Sequence, residues 1–231
     1  MEFETVVKKR RSIRRFTDIA FPDEHVQKAL ELALLAPNSS NVQNWDFHWV
    51  KSPDKKKKLT ENCLSQSAAR TASHLIVASV DTKKWKRAQG PLIDWVKSVN
   101  APKQVVTYYE KIIPVVYTTG FFGFFSPFKW LIFSSIGLFR PIVRRPATAR
   151  DLEEVALKSS ALACENFVLA ITSLGGASCM MEGFDEKRVK KLLNLSCSSR
   201  ITMVIGVGYE AERGTWGPQF RLAYNEVVHV H

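Results

Sequence analysis

Three arginines and a serine fall within five residues near the start of the chain: Arg10, Arg11, Ser12 and Arg14. A guanidinium is a planar fork of donors that meets two phosphate oxygens at once, and a serine hydroxyl can add another bond. Taken alone, the cluster reads equally as solvated arginines at a helix end or as a nucleic-acid patch. Two later segments add chemistry. Pro37, Asn38, Ser39, Ser40, Asn41, Gln43 and Trp45 mark a connection of mostly small, polar residues, whose side chains can bond nearby backbone and hold a tight turn. Glu182-Gly183-Phe184-Asp185 stands at a strand-to-helix junction, where outward-pointing N–H groups can meet an anion or an electron-rich ring.

The elements that must position these groups follow from periodicity. Val26, Ala29, Leu30, Ala33 and Leu34 recur at three- and four-residue spacing, so 21–36 is expected to be a helix with Pro22 in its first turn and Pro37 beyond its end. Trp45, Phe47 and Trp49 alternate with Asp46, His48 and Val50, the period of a half-buried strand. Ser52-Pro53-Asp54 has the form of an N-cap for a short helix to about Cys63, and 75–80 is a compact apolar strand. Residues 84–111 read as helix broken at Asn100-Ala101-Pro102. Thr148 and Asp151 frame a capping signal for a long helix, apolar nearly all round, that Gly175-Gly176 ends. Ala177–Met181 and Ile201–Val207 are further strands, Asp185 caps the helix between them, and 226–231 is a candidate terminal strand.

The chain of 231 residues, 45% hydrophobic and 24% charged, has material for one sizeable core. Its formal charge of +11 attracts polyanions, without choosing among nucleic acid, anionic lipid and a phosphorylated cofactor. The run Lys55–Lys58 reads as a solvated helix face. Cys63, Cys164, Cys179 and Cys197 form no C-x-x-C pair and have no histidine at zinc-like spacing, so neither a disulfide framework nor a structural metal is expected. A reducing, cytoplasmic setting follows, and Glu2 and Glu4 ahead of the basic cluster argue against a secretory signal. His25, His48, His74, His229 and His231 each have a core or surface explanation.

Taken together, these segments resemble the FMN-dependent nitroreductase family. Arg10 to Phe16 reads R-R-S-I-R-R-F, a match to the family's Arg-x-Ser-x-Arg/Lys-x-Phe motif. Pro37 to Trp45 is similar to its Pro-Ser-Ser-x-Asn-x-Gln-Pro-Trp motif, Glu182-Gly183 to its Glu-Gly turn, and Arg221 to a late basic residue after Gly208-Tyr209. The resemblance covers 5–81 and 151–231. It implies one domain over 1–231 with an α+β fold: a central, mostly antiparallel sheet flanked by helices, carrying a variable, hydrophobic helical lid insert at 84–150.

It also implies a site. Arg10, Ser12, Arg14 and Arg221, with Arg11 beside them, would hold the FMN phosphate. Pro37, Asn38, Ser39, Ser40 and Asn41 would pass along the flavin ring, with Asn41 and Gln43 bonding its polar edge or the ribityl chain. Gly183, with Glu182 beside it, would present backbone N–H near flavin N5, the glycine letting the chain approach closely, and Met181 is a further candidate for cofactor binding. Asn44 and Glu210 stand where the family has proline, and Gln219 where a second phosphate-binding lysine is frequent. The family's mid-chain flavin contact is assigned to Gln66, with Ser65 as the other candidate. NADH or NADPH would dock over the flavin and be followed at the same face by a nitroaromatic, quinone or similar small aromatic acceptor. The cofactor carries the chemistry, and no protein acid or base is named. A homodimer is implied, since the family builds each flavin site from two subunits.

Two further classes stay open beside this oxidoreductase: a basic binding protein for nucleic acid or anionic lipid, and a reductive dehalogenase of the same fold. The first leaves the segments at 37–45 and 182–183 unexplained, so a nucleic-acid partner is not expected. The insert at 112–139 has one charge, Lys129, and includes Phe121, Phe122, Phe124, Phe125, Phe128, Trp130 and Phe133. Its length admits a membrane span, but Pro114, Gly120, Gly123 and Pro127 interrupt it. Arg140, Arg144 and Arg145 follow, which suits a segment on an anionic membrane surface. Lid, peripheral membrane contact and plain packing are its three readings.

Overall fold

The structure is a computed structural model that describes residues 1–118, 126–143 and 145–231, with the backbone only of 126–129. The insert residues Gly120, Phe121, Phe122, Gly123, Phe124 and Phe125, together with Arg144, lie outside the described residues, as do the side chains of Pro127, Phe128 and Lys129.

Four strands, β1 (Trp45–Val50), β2 (His74–Val80), β3 (Ala177–Met181) and β4 (Arg200–Gly208), form one antiparallel sheet in the order β1-β2-β4-β3. Alternate residues along the strands point to opposite faces and make two cores. Leu75, Val77, Cys179, Met181 and Val204 face one side, and Ile76, Ala78, Met203, Ile205 and Val207 the other. Helices α3 (Pro53–Asn62), α4 (Ser67–Thr71) and α10 (Glu186–Leu192) cover the first face, while α2 (Asp23–Ala33) and α9 (Ala149–Ser173) cover the second. The α+β architecture implied by the resemblance is the one observed.

Helix α9 begins in a full capping box, Thr148 and Asp151 each bonding the other's backbone, and ends at Gly175, whose φ of 84° is a left-handed conformation that glycine adopts freely. It is long and apolar enough to cross a membrane, but much of its apolar surface is packed: Cys164, Phe167, Val168 and Ile171 are buried in the core that the sheet shares with α2, while Leu162 is exposed. Asp185 caps α10 by accepting from the Arg188 N–H.

Three expectations need correcting. Residues 226–231 add no strand: α11 (Tyr224–Val227) takes the first two, and 228–231 are irregular and exposed, with no strand pairing to them among the described residues. Ser52 makes no side-chain cap bond, and the start of α3 rests on Pro53 in its first turn. Lys56 leaves the solvated lysine face, donating to the Ser73 carbonyl at 2.8 Å, and burial lowers its pKa.

The stretch 84–111 breaks where expected, into α5 (Trp85–Ser98) and α6 (Lys103–Thr107). A π-helical turn, Tyr108–Ile112, then leads into α7 (Ile113–Tyr117). Residues 126–139 form α8 (Ser126–Phe139).

Asp81 ties the end of β2 to neighbouring loops. It accepts from the Lys83 N–H at 3.0 Å and from the Ser196 and Ser198 hydroxyls at 2.8 and 3.0 Å. Burial pushes its pKa up, but these bonds and the Lys84 charge outweigh it and hold the carboxyl below its usual range. A lowered folded pKa contributes stability above the unfolded value and loses it as pH falls through the folded one. Asp81→Ala is therefore expected to cost about 2–3 kcal/mol at neutral pH. In urea melts across pH, the deficit should shrink below about pH 4.

Candidate functional site

Ile13 and Phe16 are the anchors that present the arginine cluster. Both are buried, and each should contribute on the order of 1.5–3 kcal/mol. The Ile13 N–H donates to the Ser178 carbonyl at 2.9 Å, Ser12 bridges Ser178 in parallel fashion, and the Phe16 N–H donates to Thr71 Oγ1 at 3.0 Å. With Ile13 turned inward, Ser12 and Arg14 on either side of it are exposed. The cluster is thus an extended strip laid along β3, immediately after α1 (Phe3–Lys9).

The returning chain closes over it. The Arg14 N–H donates to the Gly214 carbonyl at 2.8 Å. A Cβ at Gly214 would sit 2.8 Å from Glu210 Cγ and 3.0 Å from Ile13 Cγ2, so glycine permits this approach. One Arg11 nitrogen donates to the Gly217 carbonyl at 2.7 Å, and the Arg14 guanidinium stacks 4.5 Å from the Trp216 ring centre. Together Arg10, Arg11, Ser12 and Arg14 line a cavity of about 250 Å³ with residues 215–221, ending at Arg221.

Among the described residues no carboxylate lines this cavity, and Arg10 Nε lies 3.8 Å from Glu165, which stands outside its lining. Four guanidinium groups around one opening, with a hydroxyl among them, fit a multiply charged anion such as a phosphate monoester. Gln219 lines the same wall, so the position is retained there without a positive charge.

The Glu-Gly corner connects to this cavity through β3. From Ser178, opposite Ser12, the strand runs to Met181 and then into Glu182 and Gly183, about 16 Å further on at strand spacing. Met181 is buried in the core, which leaves its backbone alone for a ligand. Glu182 and Gly183 are exposed, and the Gly183 N–H donates to nothing among the described residues. Gln66 locks the corner: its Nε2 donates to the Gly183 carbonyl at 2.8 Å and to the Cys63 carbonyl at 3.0 Å. Of the two candidates for the mid-chain contact, Gln66 is the one joined to the corner.

The third segment is built for rigidity but stands elsewhere. Ser40, Asn41 and Gln43 have φ of 55°, 51° and 48°, in the left-handed region that asparagine tolerates better than most residues. Asn38 Oδ1 accepts from the Gln43 N–H at 3.0 Å, and Ser40 Oγ lies 2.6 Å from the Tyr108 hydroxyl. Arg87 donates to the carbonyls of Gln43 and Trp45 at 2.9 and 3.1 Å, and to Asp46 at 2.8 Å. Exposed Pro37 and Ser39 flank the turn. The loop leads into β1, the sheet edge opposite β3, with β2 and β4 between, about 14 Å across at ordinary strand spacing. None of its residues lines the arginine cavity.

Sequence reasoning therefore found both chain ends of the cavity and missed its wall, Thr215, Trp216 and Gly217. Gly214, Gly217 and Pro218 were the signal for a turn there. Tyr108 and Arg87, which brace the 37–43 loop, gave no such signal.

Comparison with known proteins decides the family. The nitroreductase family model matches residues 7–209. The chain belongs to the nitroreductase family. It is 27% identical over 213 residues to protein DrgA of Synechocystis sp., covering 92% of this chain and 86% of DrgA. It is 25% identical over 231 residues to NADH dehydrogenase of Thermus thermophilus, covering 99% of this chain and 95% of that one. Its fold is similar to that of a protein of Exiguobacterium sibiricum solved in complex with FMN, with a TM-score of 0.74, 21% identity and coverage of 100% and 98%. For this nitroreductase-family chain, the motif residues at 10–16 and 182–183 thus fall on the matched segment, while Arg221 lies beyond its end.

Proposed function

We propose that this nitroreductase-family chain works as a homodimer that takes reducing equivalents from NADH or NADPH and passes them to nitroaromatic, quinone or similar acceptors in a two-step, ping-pong cycle. The chain is an FMN- and NAD(P)H-dependent oxidoreductase. The observation that carries this reading is the cavity in which Arg10, Arg11, Arg14 and Arg221 meet without a carboxylate, a cradle matched to the FMN phosphate.

FMN, when bound, supplies the ring that accepts and returns a hydride. The chain's own residues bind and orient it. The arginines and Ser12 hold the phosphate end, and β3 carries the line of the site to Gly183. There a backbone N–H, kept in place by the grip of Gln66 on the Gly183 carbonyl, is available to the ring's electron-rich edge. Asn41 and Gln43 lie across the sheet from the cavity of their own chain, which supports their serving the site of the partner subunit. Each site would then join an arginine cradle from one copy to a 37–43 loop from the other. No observation favours the dehalogenase or nucleic-acid readings over this one.

Initial rates measured with a nicotinamide donor and a simple quinone test the cycle. Sequential use of one face predicts parallel lines in double-reciprocal plots at several donor concentrations. Intersecting lines, which require both substrates bound together, would count against it.

A further inference from the structure

Helix α8 is an apolar rod with little to cover it. Trp130, Leu131 and Ile132 are 60%, 58% and 55% exposed, and Leu138 and Phe139 are 79% and 89% exposed. Three consecutive exposed residues sweep about 200° of a helix, more than half its circumference. Its other side, with Phe133, Ser134, Ile136 and Gly137, is half-buried, and Trp130 and Ser134 line a cavity with Arg145, Ala147, Thr148 and Asp151 at the start of α9. Val143, just beyond, is 74% exposed.

The charges that flank this rod along the sequence are of one sign, and Asp151 is a carboxylate in the cavity it shares with the start of α9. The whole chain has 33 basic and 22 acidic residues, yet between Glu110 and Asp151 there is no Asp or Glu, while Lys111, Lys129, Arg140, Arg144, Arg145 and Arg150 are all basic. Arg140 and Arg150 are exposed, and Arg145 is 78% exposed despite lying 3.7 Å from Asp151. An apolar surface flanked by cations complements a bilayer with anionic headgroups, which takes apolar side chains below and cations at its surface. Pairing of this face with its own copy across a two-fold axis would bring Arg140 and Arg145 towards cations of the same kind, so charge favours lipid over that pairing. Fourteen helical residues span about 21 Å, short of the ~30 Å hydrocarbon core, so the helix would lie on the membrane and not cross it.

We propose that α8 and its basic flanks seat the protein on an anionic lipid bilayer surface. The seat lies outside the arginine cavity, and the proposal does not depend on the identity of the electron acceptor.

Co-sedimentation of the FMN-loaded full chain with phosphatidylcholine vesicles, with and without phosphatidylglycerol, tests it. The protein is expected to pellet with the anionic vesicles, to remain in solution with phosphatidylcholine alone, and to dissociate as salt rises. Leu131→Glu with Phe139→Glu should lower partitioning about tenfold or more, with melting temperature and visible flavin absorbance showing that the fold survives. Arg140→Gln with Arg150→Gln, both at exposed positions, should also lower it about tenfold or more and does not rely on tolerance of the first pair. No binding to anionic vesicles overturns the proposal. So does binding that neither variant weakens, which would assign it to another basic surface. A change of oligomeric state in the glutamate variant without vesicle binding would give the face to a second copy, and overturns it as well.

Discussion

Arg10→Ala combined with Arg14→Ala is expected to give a folded protein that purifies nearly colourless. Each arginine contributes a charge-assisted bond to a phosphate, worth about 1.5–3 kcal/mol, so losing two weakens FMN binding by roughly 10²–10⁴-fold. The fold should survive because the strip is held by Ile13, Phe16 and backbone bonds to Ser178 and Gly214, none of which uses a guanidinium. The contacts that are lost, Arg10 with Glu165 at 3.8 Å and the exposed Arg14 stack on Trp216, are each worth at most about 1 kcal/mol. Flavin absorbance per chain after desalting, read beside the melting temperature, separates the two effects. A yellow double variant with full flavin occupancy would place the phosphate elsewhere.

The second large effect is complementation between two crippled chains. A chain with Arg10→Ala and Arg14→Ala lacks the cradle, and one with Asn41→Ala and Gln43→Ala lacks the loop; each alone should have very low activity. If each site draws its cradle from one copy and its loop from the other, a mixed dimer holds one site with every defect and one fully intact. Random pairing makes half the dimers mixed, so about one quarter of the parental activity should return when the chains are refolded together. If cradle and loop served one site within a single chain, no intact site could form, and activity would stay at the level of the separate variants.

The sheet and its caps were legible because they depend on short-range pattern. Alternation in Trp45–Val50, the apolar run ending at Val80, and the Thr148–Asp151 box each state a local requirement that the fold satisfies. The turn at 38–43 was legible for the same reason, since Asn and Ser suit left-handed backbone and local bonding. The lateral order β1-β2-β4-β3 was not legible: it arises from long-range pairing, and it separates the 37–43 loop from the arginines that the sequence placed in one site. The same limit explains 226–231. Its valines have strand character, but a strand exists only where a partner ladder does, and none is offered among the described residues.

The central claim, that cations from both ends of the chain hold a phosphate, is tested most directly by titrating the flavin-free protein with FMN and with riboflavin, which differ by that phosphate alone. The account predicts that FMN binds about 10³-fold more tightly at low salt, as two or more charge-assisted bonds require, and that the gap narrows as salt is added. Equal affinity for the two ligands would contradict it.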